Sequence, residues 1–91
     1  MKYHQGKRFG LSEEKQSYIY WLCVNIKNLS PRKQRAIEKI IEECSEGQYD
    51  ALFDAICTKK SLTEISMKRY ISEAGLQRMC ERFYRKAAEK L

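Results

Sequence analysis

The 91 residues suffice for one domain, since a chain of this length buries roughly 60–65% of the surface that its unfolded form exposes. With 43% apolar and 33% charged residues the chain is not a disordered one, and its longest apolar run, residues 18–24, is far short of the roughly twenty residues that span a bilayer. The net charge of +6 points toward polyanions, with nucleic acid considered first and an acidic membrane surface second.

That charge is unevenly placed. Residues 1–10 hold three bases and no acid, residues 11–57 six bases and eight acids, and residues 58–91 nine bases and four acids. The two ends are basic and the middle is mildly acidic. Residues 1–10 also carry two glycines and no apolar periodicity, which predicts a mobile basic arm. Such an arm is either a frayed terminus or a device for following phosphates or entering a minor groove.

Residues 11–91 read as one helical domain, with scaffold helices over 11–58 and a final helix pair over 61–91. Ser12, followed by Glu13 and Glu14, provides a capping hydroxyl and carboxylates for a helix start, so the first helix is expected over residues 12–27. Tyr18, Ile19, Leu22, Cys23 and Ile26 lie at helical spacing, but Tyr20, Trp21 and Val24 fill the gaps. A helix apolar on more than one face is either central or exposes a patch. In the second case Tyr18, Tyr20, Trp21 and Val24 form a candidate homodimer interface.

Ser30 and Pro31 open the second helix as cap and first helical residue. Ala36, Ile37, Ile40, Ile41 and Cys44 form its apolar stripe, and Gly47 ends it. Arg32, Lys33, Arg35 and Lys39 are expected on a solvated face, offset by Glu38, Glu42 and Glu43. A third helix is predicted over residues 48–58, with Tyr49, Leu52, Phe53, Ile56 and Cys57 inward and Asp50 and Asp54 outward.

Cys23, Cys44, Cys57 and Cys80 contain no Cys-x-x-Cys pair, and the one histidine, His4, stands far from all of them, so no metal site is expected. Each cysteine falls on an apolar helical phase, where a thiol packs as a small hydrophobe. No secretory signal is visible, so the expected setting is reducing cytosol. The lone histidine, the lack of a glycine-rich phosphate loop and the outward carboxylates argue against an enzyme, and no cofactor is expected.

The last thirty residues meet the steric demands of a helix-turn-helix. Ile65 points inward and is followed by small Ser66 where two helices would cross. Ile71 plugs the turn and Ser72 caps the next helix. Leu76 and Met79 follow the cap by four and seven positions, and Cys80, Phe83, Ala87 and Leu91 carry the stripe onward. The stretch EISMKRYISEAGLQRMCERFYRK resembles the helix-turn-helix of region four of bacterial sigma factors and of LuxR-type response regulators, where a Glu-Ile-Ala start, an Ile-Ser turn, a branched residue four later and a basic tail recur. The resemblance covers about a third of the chain. Leu29-Ser30-Pro31-Arg32 is similar to the opening of their scaffold helix, although a further helix intervenes here, a layout closer to small transcription regulators of phages and mobile elements. Arg69 stands where those families place an apolar residue, and Tyr70 where a small residue closes the first helix.

The resemblance implies an all-α bundle of four or five helices with a C-terminal helix-turn-helix, in a bacterial or phage-encoded regulator that binds double-stranded DNA. With Leu76, Met79 and Phe83 inward, the outward N-terminal face of the second helix offers Glu73, Ala74, Gln77 and Arg78 to base edges. Lys59, Lys60, Lys68, Arg69, Ser72, Arg82 and Arg85 are expected at phosphates. The competing expectation is a helical interaction module, docking on RNA polymerase or serving as a phage assembly adaptor, in which Arg78, Arg82 and Arg85 are a solvated stripe.

Overall fold

A computed structural model describes residues 13–58 and 60–91. Among them it forms five α-helices and no strand: α1 (Glu13–Val24), α2 (Pro31–Cys44), α3 (Tyr49–Cys57), α4 (Leu62–Arg69) and α5 (Glu73–Lys90). The expected arm at residues 1–10, the Ser12 cap and Lys59 lie outside the described residues. No helix among the described residues is long and apolar enough to cross a membrane.

Eighteen residues make α5 about 27 Å long. It packs against each of the other four helices. One stripe does this: Leu76, Met79, Cys80, Phe83, Tyr84 and Ala87 are all buried on it. Ile37, Ile40, Ile41 and Cys44 of α2, Leu52 and Ile56 of α3, Ile19 and Leu22 of α1 and Ile65 of α4 complete a single core. Burial of one such large side chain is worth about 1.5–3 kcal/mol.

Local chemistry sets most of the boundaries. Ser30 Oγ accepts a hydrogen bond from the Lys33 amide at 3.3 Å, with Pro31 at the first helical position. After α2 the chain reverses through Glu46 (φ 52°) and Gly47 (φ 85°), and the second of these is where glycine's freedom is needed. The first helix is shorter than its periodicity predicts. It stops at Val24 rather than Lys27: the Asn25 N–H still makes the helical bond to the Trp21 carbonyl at 3.1 Å, and the Asn25 side-chain amide donates to the same oxygen at 2.9 Å. The chain then tightens into one 3-10 turn, Ile26–Asn28.

The all-round apolarity of α1 resolves into one buried face and one exposed face, and the central position belongs to α5 instead. Ile19, Leu22 and Cys23 are buried, whereas Trp21 is 57% exposed, Tyr18 is exposed, and Tyr20 and Val24 are half-buried. Gln16 is also fully buried on α1. Its polar character hides this position from an apolar-stripe pattern.

Candidate nucleic-acid interface

The α4–α5 pair is held by backbone geometry at a three-residue connection, Tyr70, Ile71 and Ser72. Ser61 Oγ accepts from the Glu64 amide at 3.1 Å and starts α4. Tyr70 ends it in the left-handed conformation (φ 55°, ψ 43°), and the Ile71 N–H donates back to the Ser66 carbonyl at 3.2 Å. This is the Schellman closure, in which an αL residue lets the chain satisfy carbonyls left open by the last helical turn. The Ser66 hydroxyl donates in turn to the Ile71 carbonyl. Ser66 therefore does more than permit a close crossing, because both its backbone and its side chain fix the turn.

Ile71 is half-buried and packs on the core, as a turn plug requires. Ser72 Oγ accepts from the Gly75 amide at 3.0 Å and starts α5. A Cβ on Gly75 would stand 3.0 Å from that same oxygen and 3.8 Å from the Arg78 guanidinium. The glycine, which costs about 1 kcal/mol in a helix relative to alanine, keeps room for the Ser72 cap, while the Arg78 distance is an ordinary contact.

Across the pair, Thr63 Oγ1 donates to Glu73 Oε1 at 3.0 Å. Glu73 is thus tied to α4, whereas Ala74 is exposed, Gln77 is half-buried and Arg78 is exposed with no ion pair among the described residues. These four residues lie together on the outward N-terminal face of α5.

Most of the cations expected at phosphates already face carboxylates. Arg69 donates to Asp54 at 3.1 Å, with Asp50 at 3.8 Å, and Lys60 lies 3.9 Å from Asp54. Arg82 pairs with Glu46 at 3.2 Å and Arg85 with Glu81 at 3.1 Å, the second within one helix turn. Lys68 is exposed and has no such pair among the described residues. The Arg69 contact accounts for the polar residue at an inward position of α4: its guanidinium lies along α3 instead of entering the core. Sequence spacing held no sign of this, because the partners come from different helices.

All four cysteines are free and buried. Burial pushes the Cys80 thiol up to about 12 and raises Tyr84, while a hydrogen bond with Cys57, followed by burial, raises Cys23. Thiols held protonated in this way are inert packing groups. No cluster of three or more metal-ligating side chains exists among the described residues.

The class that the coordinates define is an all-α domain in which one long helix anchors the core along one stripe and leaves the outward face of its first two turns exposed. No family model matches the chain, and comparison with curated proteins and with solved structures gives no match.

Proposed function

We propose that this chain binds double-stranded DNA and acts as a small sequence-specific transcription regulator, with α4 and α5 as a helix-turn-helix and the first two turns of α5 in the major groove. The observation that carries this reading is the position of Arg78. It is an exposed side chain beside Gln77 near a capped helix start, its guanidinium lying over Gly75, and it makes no ion pair among the described residues, while Arg69, Arg82 and Arg85 are all engaged. Arg reads guanine and Gln reads adenine through paired hydrogen bonds, and each such pair discriminates by about 1–3 kcal/mol. Ala74 offers a methyl contact to thymine. Glu73, held by Thr63, orients the helix start more than it reads bases, and Lys68 and Ser72 are the residues best placed for phosphates next to it.

The test selects duplexes from a random pool with the intact chain and then measures affinity against salt. Arg78→Ala combined with Gln77→Ala removes two contacts, about 2–6 kcal/mol together, so affinity for the selected sequence should fall by about 30-fold or more and the ranking of sequences should flatten. Absence of duplex binding at low salt would sink the reading.

A second reading rests on Trp21. With Tyr18 it forms an exposed aromatic spot on α1, the feature expected of a module that docks on a protein such as RNA polymerase or on a second copy of itself.

A further inference from the structure

Helix α2 sorts its charges by direction. Glu38 and Glu42 lie close enough to α3 to help raise the Tyr49 phenol, an effect led by burial. Glu43 and Glu46 turn the other way, toward α5, where they meet Lys86 at 3.3 Å and Arg82 at 3.2 Å. Stepping back from Glu46, in the turn after α2, to Glu43 near the end of α2 steps forward along α5 from Arg82 to Lys86, so the two segments run antiparallel. One turn further, Lys39 of α2 and Lys90 of α5 both act on the Glu43 carboxylate, after Lys86 itself.

Beyond that level the stripe on α2 has cations only, while α5 carries Glu89 beside Lys90. Arg32, Arg35 and Lys39 precede Glu43 at the i, i+3, i+7 and i+11 spacing of one helical stripe. All three are exposed, none has an ion pair among the described residues, and they surround a shallow concavity floored by Pro31 and Ala36. The expected offset by Glu38 and Glu42 does not form: neither carboxylate makes an ion pair among the described residues. Helix stability does not explain the stripe either: α2 has no acid in its first turn, and bases there oppose the helix dipole.

We infer that Arg32, Arg35 and Lys39, continued by Lys90, form a second backbone grip for phosphates that flank the sequence read at Gln77 and Arg78. This inference rests on the DNA-binding reading above. From Arg78 to Lys90 is twelve residues, about 18 Å along α5, so the stripe lies well away from the base-reading tip and is placed for flanking backbone phosphates, where contacts fix register without reading bases. The neutralised middle of the ladder, at Glu46 and Glu43, separates the two contacts.

The test uses the intact chain, a selected duplex extended by about one helical turn, roughly ten base pairs, on each side, and the same duplex trimmed to its core. The variant Arg32→Ala/Arg35→Ala/Lys39→Ala changes exposed side chains only, and an unchanged melting curve verifies that it folds. On the extended duplex its slope of log affinity against log salt should be shallower by about 2–3, near 0.9 per lost phosphate contact. On the trimmed duplex it should match the unmodified chain, and its ranking of sequences should stay the same. Arg78→Ala should do the reverse, flattening the ranking with a slope change of about 1 or less.

A triple variant with an unchanged slope on the extended duplex overturns the second grip and leaves the DNA reading standing. An equal loss on both duplexes overturns the flanking position. If the triple variant keeps its slope on DNA but loses binding to poly-glutamate that the unmodified chain shows, the stripe belongs to an acidic protein and the inference fails. No duplex binding by the unmodified chain removes the reading and the inference together.

Discussion

The Arg69–Asp54 contact gives the sharpest check on how α4 is held. Arg69→Ala deletes a 3.1 Å charge-assisted hydrogen bond to a carboxylate whose side chain is only 15% exposed, while the guanidinium is 34% exposed. Hydrogen bonds to charged groups contribute about 1.5–3 kcal/mol, and the partial exposure of Arg69 places this one at the lower end. Lys60, 3.9 Å from Asp54, compensates part of the loss. The expected cost of Arg69→Ala is therefore about 1.5 kcal/mol by urea denaturation, with a coupling of about 1 kcal/mol in the double-mutant cycle with Asp54→Ala. Because the guanidinium is engaged within the fold, the salt dependence of duplex binding should change little beside the loss of stability. A coupling below about 0.3 kcal/mol would refute the reasoning, since it would rank the pair with exposed ion pairs that contribute almost nothing.

Two further outcomes follow from the same geometry. Tyr70 is left-handed and 95% exposed, so Tyr70→Gly relieves a strain of about 1–2 kcal/mol and loses no packing. Glycine's extra unfolded-state freedom offsets part of that gain, leaving about 0.5–1 kcal/mol, or a rise of about 4 °C in Tm for a domain of this size. A fall in Tm would mean that the ring is held by a contact in solution. At alkaline pH, Cys80 is held protonated up to about 12 against an ordinary value of 9.0, and Cys23 and Tyr84 are raised as well. A raised folded value favours folding below the unfolded value, so this contribution is complete below about pH 8 and is lost as pH climbs from 9 toward 12. The unfolding free energy from urea denaturation should hold between pH 7 and 8 and then drop by about 1.4 kcal/mol per pH unit for each group titrating in the unfolded chain only. A flat profile to pH 11 would contradict the burial of these groups.

The parts of the fold visible in the sequence are those controlled by neighbours in the chain. Ser30-Pro31 and Ser72 mark helix starts because a hydroxyl caps the N–H three residues on, and Gly47 marks a turn because its φ is positive. The stripes Ile37–Ile40–Ile41–Cys44 and Leu76–Met79–Phe83 show which faces go inward. The interval between helices carries no such phase. Arg69 finds Asp54 across fifteen residues and Arg82 finds Glu46 across thirty-six, so cations that sequence alone offers to phosphate are claimed by the fold. The reverse occurs on α2, where acids nearby in sequence suggest a neutral face, but Glu43 pairs with Lys86 of α5 and Arg32, Arg35 and Lys39 have no ion pair among the described residues. The early stop of α1, where the chain tightens into the 3-10 turn Ile26–Asn28, is recorded by no apolar pattern.

The division of labour along α5 has a consequence for how target preference can change. Its inward stripe touches every other helix, so substitutions there act on the entire domain, whereas Ala74 and Arg78 are exposed and have no ion-paired partner. If bases are read at this face, a new target can be acquired by exchanging a few side chains at one helix tip while folding stability stays nearly constant. Glu73 is the exception on that tip, because replacing it also releases Thr63 and loosens the angle at which the helix is offered.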